Sequence, residues 1–135
     1  MAEIKIYNPD NLYSPKPTYK QIALVKASEF AFIAGQVSVD ATGNVTGAND
    51  FLAQCRQVYS NIQAALHALE CTWRNVVQFT TFVTRAEDLP ALSRYRAEEF
   101  PRMFPGGAYP PNTLLVIDRL AHPDYLLEVQ TIAAR

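Results

Sequence analysis

The centre of the chain carries an apolar stripe with helical spacing. Its members recur every three or four positions and are Leu52, Cys55, Tyr59, Ile62, Leu66 and Leu69. This period places them on one face of an amphipathic helix. The opposite face is expected to be polar, with Gln54, Gln57, Asn61, Gln63 and Glu70. Asn49 or Asp50 has a side chain suited to capping the start of this helix.

Shorter apolar runs, rich in β-branched and aromatic residues, predict six strands. They cover residues 4–7, 22–26, 30–34, 76–84, 112–117 and 125–134. We expect the second and third strands to pair around Ala27-Ser28-Glu29. A second helix is predicted from Asp88 to about Phe100, with Pro90 tolerated in its first turn. This order predicts one α+β domain over residues 1–135, with two helices packed on one face of a mixed sheet.

Both faces of the predicted sheet are apolar. In the fifth strand Leu114 and Val116 point to one side, and Leu115 points to the other. Two helices cover only one side, so the other would expose a patch larger than monomers usually tolerate. We therefore expect an oligomer that buries this face. The alternative is that loops cover it.

Composition and charge exclude several classes of protein. Hydrophobic residues make up 49% and charged residues 19% of the 135 positions, which is typical of a globular chain. The net charge is -1, with no basic block, so no nucleic-acid partner is expected. Neither a membrane span nor a secretory signal is visible. Cys55 and Cys71 fit reduced thiols of a cytoplasmic protein and do not suggest a metal site.

Few polar residues stand out as candidates for chemistry. No G-x-S-x-G motif occurs, and His67 and His122 are expected at the surface. Gly35 follows the third strand, where a glycine indicates a bulge or a backbone N–H that faces a ligand. Three arginines on or after the second helix are expected on its solvated face, namely Arg94, Arg96 and Arg102.

Glu128 is the exception, because it interrupts an apolar strand. Strand alternation places it on one face with Leu126, Gln130 and Ile132. A buried carboxylate is rare unless it is paired. One interpretation is an ion pair with Arg119. The other is a general base that activates water, with a pKa raised by burial.

Several segments, taken in order, resemble the RidA/YjgF family of reactive intermediate deaminases, also called L-PSP endoribonucleases. They are Pro17-Thr18-Tyr19, residues 32–37, Thr42-Gly43, Asn61-Ile62, residues 77–83 and residues 112–134. The resemblance implies a homotrimer of chorismate-mutase-like subunits, with clefts between neighbours. It also implies cofactor-free hydrolysis of a small-molecule imine or enamine, such as 2-aminoacrylate, to a ketoacid and ammonia.

Three residues match the family's cleft. The resemblance implies that Tyr19 and Glu128 are catalytic, with Glu128 positioning water. It implies that Gly35 offers its backbone N–H to the substrate.

Four other cleft positions depart from the family pattern. Asn112 stands where active members have an arginine that clamps the substrate carboxylate, and Leu114 stands where they have a cysteine. Ala34 replaces a serine, and Ser93 most nearly aligns with a cleft asparagine. By resemblance, all four remain candidates for substrate binding.

Loss of the arginine leaves three hypotheses open. A lost clamp is expected to cost on the order of 10²- to 10⁴-fold in turnover of 2-aminoacrylate. The first hypothesis is therefore a deaminase whose substrate lacks an α-carboxylate or binds it elsewhere. The second is a non-catalytic binding or regulatory trimer. The third is an endoribonuclease, against which the net charge of -1 argues.

Overall fold

The computed structural model describes residues 1–15 and 18–135. Its strands are β1 (Glu3–Tyr7), β2 (Ile22–Lys26), β3 (Phe30–Gln36), β4 (Val76–Val83), β5 (Asn112–Val116) and β6 (Leu127–Ala134). Its α-helices are α1 (Phe51–Ala68) and α2 (Leu89–Met103). Single 3₁₀ turns, Trp73–Asn75 and Ala86–Asp88, lead into β4 and α2. The predicted α+β class is confirmed. Pro17, the first residue of the Pro17-Thr18-Tyr19 motif, lies outside the described residues.

The main sheet has the strand order β3-β6-β4-β5. β6 is antiparallel to both of its neighbours, and β4 and β5 are parallel, so the sheet is mixed as expected. β1 and β2 form a separate antiparallel pair.

The predicted pairing of β2 with β3 is wrong. The backbone N–H groups of Ser28 and Glu29, between these strands, donate to the carbonyl of Arg135 at 3.1 and 2.9 Å. The C-terminus therefore takes the hydrogen bonds of this connection. β3 pairs with β6, which leads into Arg135, and β2 pairs with β1.

Helix α1 packs its apolar stripe onto the sheet. Its start is capped by Asp50, whose side chain accepts from the Ala53 N–H at 3.0 Å. Gln54, expected on the polar face, is instead fully buried. It accepts from the Leu126 N–H at 2.9 Å and donates to the Asp124 carbonyl at 2.7 Å. These bonds satisfy backbone groups at the start of β6, which explains a buried amide here.

Helix α2 runs three residues beyond the predicted end. Pro101, which follows the predicted end of the helix, lies in its last turn. The aromatic core continues beneath this turn, where the rings of Phe100 and Phe104 lie 5.2 Å apart and Phe100 also contacts Tyr59. Burial of these rings outweighs the single backbone hydrogen bond that proline lacks.

The face of the sheet away from the helices is open in the single chain. Phe32 is 77% exposed and Phe30 is 49% exposed, and Leu115 is also exposed. The two-sided apolar pattern is thus confirmed, and the described loops do not cover Phe32. Among the described residues, no helix has the length and apolar character needed to cross a bilayer.

Candidate functional site

The residues selected from the sequence occupy two places. Four of them, Tyr19, Ser93, Asn112 and Leu114, line one cleft of about 360 Å³ beside the edge strand β5. The other three, Ala34, Gly35 and Glu128, lie on β3 and β6. The structure therefore groups these residues into two separate half-sites, which we call the β5 cleft and the Glu128 site.

The β5 cleft is built from three parts of the chain. Helix α2 contributes Ser93 with the apolar residues Leu89 and Leu92, and β5 contributes Asn112 and Leu114. Thr18 and Tyr19 form the third wall. This wall is tied to the loop before β5, because the Lys20 N–H donates to the Tyr109 carbonyl at 3.1 Å.

Arg96 also lines this cleft, and the predicted position of its side chain is wrong. It was expected on a solvated helix face but is only 5% exposed. Its Nη2 donates to the Thr81 hydroxyl at 2.8 Å and to Asn112 Oδ1 at 3.4 Å. The Thr81 hydroxyl donates in turn to Asn112 Oδ1 at 2.7 Å. A polar network thus joins α2, β4 and β5 at the cleft.

A sequence signal for Arg96 does exist. It stands four residues after Leu92 and four before Phe100, and this spacing puts all three on one helix face. Both apolar neighbours are buried. The charge at this position favours a solvated face, whereas the period of the helix predicts a buried one.

The surroundings of Arg96 are aromatic and largely buried. Its guanidinium carbon lies 5.7 Å from the Phe100 ring centroid, a cation–π distance. Burial raises the pKa of Tyr59, and the positive charge of Arg96 partly opposes this rise. The two groups are close, but Tyr59 Oη and Arg96 Nε do not meet hydrogen-bond geometry with each other or with another described residue.

The Glu128 site depends on close contact with glycine. The β3–β6 register shifts between Ile33 and Gln36, so Gly35 lies in a β-bulge, as one of its two interpretations proposed. A Cβ added at Gly35 would lie 2.6 Å from Glu128 Oε1. Only a residue without a side chain leaves this space to the carboxylate. Ala34, exposed beside it, accepts from the Gln36 side-chain amide through its carbonyl at 3.0 Å.

Glu128 has no salt bridge to any described residue. The proposed partner, Arg119, instead donates to the carbonyls of Leu120 and Ala121 at 3.0 and 3.1 Å. The ion-pair interpretation is therefore wrong for the single chain. Burial raises the pKa of the half-buried Glu128 carboxyl above its ordinary value of 4.5, as the general-base interpretation requires.

The two half-sites lie on opposite faces of the sheet. Asn112 faces the helices, because it bonds Thr81 and Arg96. Glu128 alternates with the buried residues Leu127 and Val129, which places it on the open face. Glu128 is also two strands from β5, since it pairs with β4, roughly 10 Å across the sheet. Within one chain the two half-sites cannot contact one small substrate.

No cluster of three or more His, Cys, Asp or Glu in residues 1–15 and 18–135 could hold a metal ion. Both cysteines are free and buried. Burial raises the pKa of Cys55 to about 12, which keeps the thiol protonated and unreactive at neutral pH. His67 is exposed, and the His122 ring accepts from the Asp124 N–H at 3.0 Å.

Known proteins resemble this chain along almost its whole length. The model of the Endoribonuclease L-PSP family matches residues 11–135. A RutC family protein of Pyrococcus horikoshii is 31% identical over 120 residues, which cover 89% of this chain and 90% of the relative. The 3-aminoacrylate deaminase RutC of Acinetobacter baylyi is 26% identical, with the same coverage. The crystal structure of the Rid family protein YyfB from Yersinia pestis matches with a TM-score of 0.85 and 25% identity, covering 98% of both chains.

Proposed function

Because this chain belongs to the Endoribonuclease L-PSP family, the RidA/YjgF family of the sequence analysis, we propose that it hydrolyses small imines or enamines. The reaction releases ammonia and needs no cofactor. The observation that carries the proposal is the Glu128 site, a carboxylate with no ionic partner among the described residues, held against the Gly35 backbone. The 3-aminoacrylate deaminase of Acinetobacter baylyi gives independent support from a relative.

The chemistry follows from a carboxylate whose pKa is raised but which can still ionise. Glu128 takes a proton from a water molecule, and the water oxygen bonds to the imine carbon. The C=N double bond becomes a C–N single bond, and the nitrogen takes a proton from Tyr19 or from water bound to it, which gives a carbinolamine. Glu128 then returns its proton to this nitrogen, and the C–N bond breaks with its electron pair leaving on ammonia. The carbinolamine hydroxyl returns its proton to Tyr19 or its bound water, and a carbonyl group remains. One imine and one water thus give one carbonyl compound and one ammonia.

The separation of the half-sites supports an oligomeric active site. If the open face of one subunit lies against the β5 edge of the next, Glu128 of one copy faces the β5 cleft of another. Such packing would also bury Phe30, Phe32 and Leu115, whose exposure in the single chain is unfavourable. We therefore propose the homotrimer that the family resemblance implies, with each site shared by two subunits.

The remaining cleft residues have binding roles in this proposal. Tyr19 assists protonation of the substrate nitrogen, either directly or through bound water, and the Gly35 N–H binds the substrate. Asn112 orients the substrate by hydrogen bonds. Ser93, Leu114 and Ala34 shape the cleft walls.

The test is imine hydrolysis by the purified chain. Imines are generated in situ by an amino-acid oxidase and trapped with semicarbazide. The purified chain competes with semicarbazide for the imine. The wild-type protein should lower the amount of imine that semicarbazide traps. Glu128→Gln should reduce the rate of imine hydrolysis by about 100-fold or more. Glu98→Gln, which removes an exposed carboxylate on α2, is the matched control and should retain activity.

Two outcomes would contradict the proposal. No acceleration by wild type across a panel of imines would favour the non-catalytic binding trimer. Full activity of Glu128→Gln would remove Glu128 from the mechanism, even if the chain is a deaminase.

A further inference from the structure

The β5 cleft contains a positive charge that no described acidic residue balances. Arg96 lines the cleft at 5% exposure, and no carboxylate among residues 1–15 and 18–135 forms a salt bridge with it. The buried acid nearest in sequence, Asp88, is held by Arg85 through bonds of 2.8 and 3.2 Å. The Arg96 charge therefore lacks a counter-ion among the described residues of its own chain. In the proposed trimer the Glu128 of a neighbouring copy faces the same cleft, where its role is to hold the attacking water.

The groups around Arg96 offset only part of the cost of burying it. The Thr81 hydroxyl and the Asn112 amide oxygen supply dipoles, and the Phe100 ring supplies a cation–π contact. None of them carries a negative charge. Buried charges in proteins are normally paired, so an unpaired guanidinium in a cleft wall is suited to binding an anion.

The described contacts of Arg96 also leave hydrogen-bonding capacity. Both hydrogen bonds that it donates to described residues leave from Nη2, and Nη1 donates to no described residue. A guanidinium presents five N–H donors in a planar fork that matches a carboxylate. Thr81 and Asn112 hold this fork from the side of the sheet, so its orientation is set before a ligand binds.

We propose that Arg96 binds the carboxylate of an anionic substrate in the β5 cleft. The inference rests on the proposed deaminase function and narrows its substrates to small imines that carry a carboxylate. The cleft volume of about 360 Å³ is near the lower end of small-molecule pockets, which favours a compact acid. Asn112 then acts as a positioning residue, because its Oδ1 fixes the guanidinium.

The first experiment measures binding without catalysis. Pyruvate and its neutral counterpart pyruvamide are titrated into the intact protein by calorimetry in a chloride-free buffer. Pyruvate should bind at least about 10-fold more tightly than pyruvamide, since a charge-assisted pair is worth at least this factor. Arg96→Gln should abolish the difference. Arg94→Gln, which removes an exposed arginine from the same helix, should retain it.

A second variant covers the case in which Arg96→Gln does not fold. Ser93 is exposed on the cleft wall, so Ser93→Asp can supply a carboxylate to Arg96 without disturbing the core. This variant should fold and should lose pyruvate binding, whereas Arg94→Asp, which adds a carboxylate to the same helix outside the cleft lining, should retain it. Inorganic phosphate serves as a further probe. Binding of phosphate as tight as that of pyruvate, also lost in Ser93→Asp, would contradict the assignment to a carboxylate.

The result separates this inference from the proposed function. Pyruvate binding that depends on Arg96, in a protein that hydrolyses no imine, would support the anion site and reject the deaminase. Hydrolysis of carboxylate-bearing imines and their amides at equal kcat/KM would support the deaminase and overturn the inference. Equal binding of pyruvate and pyruvamide to wild type would also overturn it.

Discussion

The Glu128 carboxylate occupies the space that a side chain at Gly35 would need. A Cβ at Gly35 would lie 2.6 Å from Glu128 Oε1 and 2.7 Å from its carboxyl carbon. Both distances are well below van der Waals contact. Gly35 on β3 therefore permits the position of the Glu128 carboxylate on the neighbouring strand β6.

Gly35→Ala is expected to displace Glu128. Because Glu128 can move its flexible side chain, the free energy of unfolding should fall by only about 1 kcal/mol. The rate of imine hydrolysis should fall by about 100-fold, because a general base must be placed within hydrogen-bond reach of its water. In a Glu128→Ala background the same substitution should cost almost no stability, which a double-mutant cycle of urea unfolding measures. An equal cost in both backgrounds would contradict the contact.

The pH dependence of stability should report the burial of Glu128. Since burial raises its pKa in the folded chain, the unfolded chain releases this proton at lower pH. Stability therefore falls as the pH rises from about 4.5 to the raised pKa, and then stays level. Glu128→Gln should not lose stability in this pH range. The difference between its free energy of unfolding and that of wild type should therefore grow as the pH rises from about 4.5 to the raised pKa. Urea unfolding at several pH values measures it, with Glu98→Gln as the control for loss of a carboxylate.

Phe32→Ser should dissociate the proposed trimer. Phe32 is 77% exposed on the open face, where the proposed packing buries it, and loss of a large aromatic contact typically costs several kcal/mol. Sedimentation velocity should show a trimer for wild type and smaller species for the variant. Tyr13→Ser removes a similarly exposed ring outside the main sheet and should leave the trimer intact. A monomeric wild type would contradict the assembly.

Gln54→Ala should destabilise the fold strongly. The substitution leaves the Leu126 N–H and the Asp124 carbonyl without their buried partner, at about 1–3 kcal/mol for each group. We expect the free energy of unfolding to fall by roughly 3 kcal/mol or more in chemical denaturation. Gln63→Ala changes an exposed glutamine of the same helix and should stay within about 0.5 kcal/mol of wild type.

Much of the local structure could be predicted from the sequence. The predicted apolar stripe, Leu52 to Leu69, lies one residue from the observed bounds of α1 at each end, and Asp50, one of the two cap candidates, is the cap. The start of β5 at Asn112 was also correct. Helix periodicity, caps and strand alternation depend on neighbouring residues, so a single sequence contains them. The resemblance also selected four of the residues that line the β5 cleft.

Partners distant in the chain could not be predicted in this way. The apolar alternation within each strand does not predict that β3 pairs with β6 instead of β2. The connection between β2 and β3 bonds to the carbonyl of Arg135, a partner distant in the chain. The burial of Arg96 likewise depends on Thr81 and Asn112, which lie on other elements.

The sequence by itself determined the α+β class, the apolar stripe of α1, the two-sided apolar sheet and the family resemblance. These properties follow from local period and from the order of residues. The tertiary structure alone decided that Glu128 contacts Gly35 on one face of the sheet, while Arg96 meets Asn112 on the other. The physical reason is that a charged side chain acquires its role from the burial and partners that folding gives it.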